Sequence, residues 1–278
     1  MGFAFLALLG ASFWGIGDFL GGVASRKAHV LTVLALSQAT GLLGAATWVL
    51  ASGEGRPSLG AIWPAAVAGA AGAIGLGALY RGKAIGAMGI VAPISAASPV
   101  VPLVVDVAHG VVPSAVQWVG IAVVLGGIVL LARDPGGRGS SPVAAGVVLA
   151  LLAALCFGLF VVGLDAASDD SVPWTILLVR STSTLLALAA ALVVSAPLRP
   201  PARLLPTILA VGAFDTLANV LVAYATTRGP AGIVAVLSAL YPVTTIVLAR
   251  IVLGERLERE RRIGGALALG GAAAVAVG

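Results

Sequence analysis

The sequence predicts an all-α integral membrane protein of ten transmembrane helices, arranged as two inverted five-helix repeats. Three observations carry this reading. First, the 278 residues are 60% hydrophobic and 10% charged, with a mean hydropathy of +1.11. A soluble domain has roughly 45–50% apolar and about 25% charged residues, so a fold of this length in water could not hide its apolar surface. Second, residues 89–100 read GIVAPISAASPV and residues 232–243 read GIVAVLSALYPV, which is eight matches in twelve at an offset of 143. A phrase repeated at half the chain length points to duplication. Third, the basic residues fall on alternate loops, as derived below.

A helix needs about 20 apolar residues to cross the hydrocarbon. The apolar runs place spans at 2–24, 30–51, 61–80, 84–108, 114–132, 142–164, 173–195, 204–225, 229–253 and 262–277. The first run follows Met1 directly, with no basic n-region and no small-residue cleavage site, and is read as a retained helix. Breakers at 53–57, 134–142, 169–173, 197–201 and 229–230 mark loops. Period-2 alternation is absent, which argues against a β-barrel. Backbone groups in lipid must then pair within helices.

The loops after odd-numbered spans hold 12 Lys and Arg, those after even-numbered spans only Arg56 and Arg228. Arg180 and Arg250 lie inside spans. Positive charge stays in the cytoplasm, so both termini are expected outside it. Five spans per copy is an odd number, so the copies enter the membrane from opposite sides. The domains expected are 1–132 and 142–278, joined by a Gly-, Ser- and Pro-rich linker at 133–141. Trp14-Gly15 matches Phe157-Gly158 at the same offset, and Gly120 matches Gly264 one residue out of step.

Several classes of chemistry are disfavoured. Two histidines and one cysteine, Cys156, offer neither an internal disulfide nor a metal-ligand cluster. There is no phosphate-binding glycine loop, no catalytic constellation and no sign of a cofactor. The net charge of +5 comes from basic residues between apolar runs, the pattern of a lipid-embedded chain and not of a nucleic-acid binder.

Ionisable groups inside spans are costly, so each is a candidate for function. Asp18 lies inside the first span with Trp14 one turn earlier on the same face. A carboxylate beside an aromatic wall suits a cationic or amino-bearing solute, or a proton carrier; the alternative is a carboxylate that snorkels to the cytoplasmic end. Asp215 sits near the centre of the eighth span with Asn219 one turn on. It is a second candidate carrier, or the partner of Arg180 in a buried structural ion pair. Ser95 and Ser98 precede Pro99, and Ser238 and Tyr241 precede Pro242. Proline deprives an upstream carbonyl of its donor, so kinks there place free acceptors beside hydroxyls; the alternative is that each serine bonds back within its own helix. Pro93 and Pro102 are expected to make the fourth helix less regular. Tyr80 is a candidate cavity gate or an interface tyrosine. Asp106, near the outer end of the fourth span, is read as solvated, and 255–262 as a solvated, self-paired loop.

The chain resembles the EamA-type transporters of the drug/metabolite transporter superfamily. The resemblance rests on the paired five-helix halves, the aromatic-Gly step opening each half, and the Ser-Ala-x-x-Pro-Val fourth helix. It also rests on Leu253-Gly254-Glu255-Arg256-Leu257 with the later Ile263-Gly264-Gly265-Ala266 and Gly270-Gly271, and on Arg180 early in the second helix of its half. In the first half Val112 stands opposite Glu255, and Ser37, followed by Gln38, opposite Arg180; the two charges are read as structural devices. The resemblance implies a transporter of small metabolites, an exporter in many cases, with a cavity between the halves lined by the first, third and fourth helix of each.

The expectation is therefore a non-enzymatic secondary transporter of the inner membrane. It would move an amino acid, amine or similar amphipathic solute by alternating access, with protons as a candidate coupling ion. Its partners would be the solute and the bilayer, not nucleic acid, and its assembly a monomer or homodimer. The rival readings are a facilitative, channel-like membrane protein without ion coupling, and a lipid-acting enzyme, for which no interfacial Asp/His/Glu cluster is present.

Overall fold

A computed structural model describes residues 2–84, 94–95, 97–132, 143–253 and 259–278. Among these residues the regular structure is entirely helical. In chain order the helices are α1 (Gly2–Ser25), α2 (Val30–Ser52), α3 (Leu59–Ala84), α4 (Val100–Ala108), α5 (Ala115–Ala132) and α6 (Val143–Ser168). They continue with α7 (Val172–Val193), a 3₁₀ turn at Ala202–Leu204, α8 (Leu205–Thr226), α9 (Ala231–Ser238), α10 (Tyr241–Leu253) and α11 (Arg259–Val277). Among the described residues seven helical segments are long and apolar enough to cross a membrane. The apolar parts of α5 and α11, Ala115–Leu130 and Arg262–Val277, are shorter. The expected fourth span falls partly outside the described residues; its described helix is α4.

Local chemistry sets the ends. Ser171 caps α7 by accepting from the Trp174 amide at 3.3 Å, and proline occupies the first turn, where no donor is needed. Gly53 ends α2 at φ +65°, a left-handed conformation that glycine adopts without penalty. The expected ninth span is one helix in sequence but two in space, broken at residues 239–240. Pro242 cannot donate to the carbonyl of Ser238, so the helix stops and restarts. The first half has the same break: Val100 N donates to the carbonyl of Ala97 and Val243 N to that of Leu240, both at 3.0 Å and 143 residues apart. Pro102, by contrast, falls in the first turn of α4, where a missing N–H costs nothing, and it adds no separate break.

Small residues decide the packing, as expected where lipid removes the hydrophobic drive between helices. α1 runs antiparallel to α8: Gly10 abuts Ala218 and Val222, and Gly17 lies beside Val211 and Asp215. α3 runs antiparallel to α6 through Gly72 against Phe160 and Gly163 against Pro64 and Ala68. α5 and α11 pair antiparallel, with Gly120 on Gly271 and Gly127 on Gly264. Exchanging the two halves maps the helix pairs onto one another: α1·α8 onto α6·α3, α2·α8 onto α7·α3, and α1·α10 onto α6·α4. At the last of these, Gly15 meets Tyr241 and Thr244 while Gly158 meets Ser98 and Val101, the same contact displaced by 143 residues. Large apolar side chains such as Leu50, Leu59 and Val193 cover the outside, which is the surface of a multi-pass membrane protein.

Candidate functional site

A polar cluster is buried where α2 meets α7 and α8. Arg180 on α7 is 2% exposed, and its NH1 lies 2.6 Å from Oδ2 of Asp215 on α8. The same NH1 donates to Oε1 of Gln38 at 2.7 Å, which also accepts from the Ser183 hydroxyl at 2.9 Å. Gln38 Nε2 donates back to Asp215 at 3.4 Å. Gly41 makes room for the guanidinium: a Cβ there would sit 3.3 Å from Arg180 Nε. A guanidinium stripped of water requires a counter-charge and acceptors, and Asp215 and Gln38 supply them. The supply is incomplete, since Nε and NH2 of Arg180 and the hydroxyl of Thr184, one turn on, have no partner among the described residues. The ion pair expected as the structural alternative for Asp215 is thus present, extended by two polar side chains that the sequence reading did not select. The available signal was positional, since Gln38 follows the residue opposite Arg180 in the repeat register.

A second polar contact joins α1 to α8. Trp14 Nε1 donates to Asn219 Oδ1 at 2.9 Å, and Asn219 is buried. The Trp14 ring stands 6.2 Å from that of Phe160 on α6. Asp215 and Asn219 are one turn apart but serve different neighbours, Asp215 bonding to α7 and α2, and Asn219 to α1.

Asp18 lines a cavity of about 240 Å³ between α1 and α10, with Gly22, Arg26, Thr245, Ala249 and Leu253 among its walls. The Thr245 hydroxyl donates to the Gly15 carbonyl at 3.1 Å and to the Tyr241 carbonyl at 3.3 Å. Asp18 is close enough to Tyr241 to act on it electrostatically. Trp14 and Asp215 are not in the lining, so the carboxylate and the indole serve separate places.

The Ser–Pro segments are among the close contacts between the halves. Ser95 and Ser238 are buried, and the Ser238 hydroxyl has no partner among the described residues. Had Gly158 a Cβ, it would lie 2.7 Å from the Ser98 carbonyl oxygen; at Gly15 the corresponding distance to the Tyr241 carbonyl is 2.6 Å. Pro99 and Pro242 begin the helices that carry these contacts. Pro93, Glu255 and the side chain of Tyr80 lie outside the described residues. Asp106, expected to be solvated, is half-exposed, and its Oδ2 also accepts from the Gly232 amide at 2.7 Å, because the α9 N-terminus offers a free donor beside it. No group of three or more His, Cys, Asp or Glu among the described residues is arranged to hold a metal ion.

The sequence matches the EamA-like transporter family twice, over residues 1–133 and over residues 144–277. No curated protein matches it. Solved structures do, 27 chains in all. One, described as "Crystal structure of protein", is 20% identical, superposes with a TM-score of 0.77, and covers 98% of this chain and 96% of its own. At that identity the likeness speaks to the fold alone. The two family matches lie end to end and take in nearly the whole sequence, one on each half. The chain belongs to the EamA-like transporter family.

Proposed function

We propose that this chain is a secondary transporter of the inner membrane that exports a small amino-bearing or similar amphipathic metabolite by alternating access. The observation that carries the proposal is the polar cluster Gln38–Arg180–Asp215, buried between helices of the two halves. A soluble-protein core has cheaper ways to pack, and charges in a bilayer-spanning bundle mark solute or proton paths. In this reading ten spans cross the bilayer and both termini lie outside the cytoplasm. The antiparallel run of α5 and α11, which occupy equivalent places in the two halves, supports inversion of the repeats. Loop contacts support the alternation of ends. Thr32 donates to the Pro197 carbonyl at one end. Ser58 N donates to Asp170, and Ser171 to Glu54, at the other.

The Asp18 cavity reaches toward the C-terminal ends of α1 and α10, where the basic loops follow. That is the cytoplasmic end in this orientation, and it suits loading for export. Asp18 would meet the cationic group of the solute. Asp215, held by Arg180, would take a proton when the pair opens. Flux of a panel of radiolabelled amino acids and amines into proteoliposomes tests this with Asp18→Asn and Asp215→Asn. At least one variant is expected to lose roughly tenfold in rate, the equivalent of about 1.4 kcal/mol, together with its pH dependence. Wild-type, pH-dependent flux in both would exclude both carboxylates as sole carriers.

A further inference from the structure

We infer that an anionic phospholipid docks its headgroup between the α1–α2 turn and the α7–α8 loop, where α1 and α7 finish and α2 and α8 begin. Such a site needs only a bilayer around the chain and no assumption about the solute. Three cations are brought together there. Lys27 sits in the α1–α2 turn, Arg199 and Arg203 in the α7–α8 loop, and all three are exposed. They are distant in sequence and joined by the fold. Thr32, in the first turn of α2, donates to the Pro197 carbonyl. Beside that bond Ala24 and Val33 pack with Leu204 and Ile208, and Ala28 lies against them. Lys27 adjoins Ala28, Arg203 adjoins Leu204, and Arg199 follows closely on Pro197.

Like charges gathered by packing repel unless a counter-charge lies among them. Neither segment brings one: residues 19–53 and 171–214 contain no Asp or Glu. Arg26, next to Lys27, lines the Asp18 cavity on the α10 side and is counted with that cavity. The α7–α8 loop is also stiff. Pro200 and Pro201 stand between the two arginines, with Pro197 before them and Pro206 after, and each fixes its own φ. Little backbone freedom is therefore lost when an anion is held there.

The surroundings decide which anion fits. Val30 opens α2, Leu192 and Val193 close α7, and Leu205 opens α8; all four are exposed. Apolar side chains exposed on a membrane protein face acyl chains. A Lys or Arg at the end of such a helix reaches the depth of the lipid phosphates. Free phosphate could answer the three charges and would leave the apolar flank unused. A phospholipid satisfies both, with its phosphate on the cations and its tails along Val30 and Leu205. A net negative headgroup is favoured over a zwitterionic one, whose ammonium group the same cations repel. The two loops come from different halves, so the lipid is shared between them.

Native mass spectrometry of the full chain, released from detergent micelles, tests the site. The probes are dioleoyl phosphatidylglycerol and dioleoyl phosphatidylcholine, which share acyl chains and differ in headgroup charge. One phosphatidylglycerol adduct is expected to saturate well before any phosphatidylcholine adduct. A cation near a membrane surface is worth about fivefold in affinity. Lys27→Gln alone should therefore weaken the adduct by about fivefold, and Lys27→Gln, Arg199→Gln and Arg203→Gln together by roughly a hundredfold. Arg199→Lys with Arg203→Lys keeps the charge and should keep most of the binding. Arg250→Gln, Arg259→Gln and Arg262→Gln remove the same charge elsewhere and should leave the adduct intact. Equal binding of the two lipids by the wild type would overturn the inference. An equal loss in the second triple variant would also overturn it, because net charge and not a site would then be responsible. Displacement of the lipid by a tenfold excess of inorganic phosphate would leave an anion site without a lipid and contradict it as well.

Discussion

Asp215→Ala is expected to cost about 3–5 kcal/mol of stability, because it strands a buried guanidinium. Arg180 is 2% exposed and its one strong ionic contact is the 2.6 Å pair with Asp215. Two of its three nitrogens have no partner among the described residues, so little remains to take up the lost charge once the carboxylate is gone. Gln38 would keep one bond to NH1, which offsets part of the loss but supplies no counter-charge. Arg180→Met together with Asp215→Ala removes both charges and should recover most of the loss, since an apolar pair of similar volume is close to neutral in such a place. Unfolding in mixed micelles measures both variants. A single variant within about 1 kcal/mol of the parent, below the range for a broken buried pair, would mean that Arg180 is not held by Asp215.

Gly15→Ala and Gly158→Ala should each lose about 1–3 kcal/mol, and by similar amounts, from overpacking. A Cβ at Gly15 would come 2.6 Å from the Tyr241 carbonyl oxygen, and one at Gly158 2.7 Å from that of Ser98. Backbone cannot swing aside as the tip of a side chain can, so the helices must shift. Gly44→Ala is the control, since nothing lies within 4 Å of its Cβ position; there the substitution should stabilise by up to about 1 kcal/mol through helix propensity. Thermal unfolding of the three variants separates the cases. Unequal losses at Gly15 and Gly158 would mean that the two halves do not pack by one rule.

Much of the fold was legible in the sequence because lipid imposes a simple code. Length and hydropathy alone mark α1, α2, α3, α6, α7 and α8. Pro242 gave the break between α9 and α10, since a missing N–H acts on its own helix. The repeat phrase located the matching break before α4. α5 and α11 were expected at 114–132 and 262–277, within a few residues of where they lie, although their apolar stretches are short; the glycine seam that pairs them is not registered by hydropathy. The site was legible only in its charges. Asp18, Asp215 and Arg180 stand out because a charge in an apolar run needs a reason. Gln38 and Ser183 do not, since amides and hydroxyls are common in spans and their role here comes from how α2, α7 and α8 meet. The Trp14–Asn219 bond joins residues 205 apart in sequence, and no local pattern encodes it. The Asp106 bond is hidden for the same reason: its partner is the start of a helix in the other half.

The separate placement of Asp18 and Asp215 sharpens the transport scheme. One carboxylate opens to a cavity and the other is held by an arginine. Solute binding and proton exchange then need not compete for one group, and the rocking of the halves would couple them through α1 and α8, which carry the two residues and pack against each other.

Counterflow in proteoliposomes tests that scheme most directly. Vesicles containing the wild-type chain are loaded with an excess of unlabelled solute, chosen as the member of the amino acid and amine panel with the highest flux, and diluted into a trace of the labelled form. Alternating access requires labelled solute to accumulate transiently above equilibrium, with an initial rate that saturates as the external concentration rises. Flux that never saturates and shows no such overshoot would identify a channel and contradict the transporter reading.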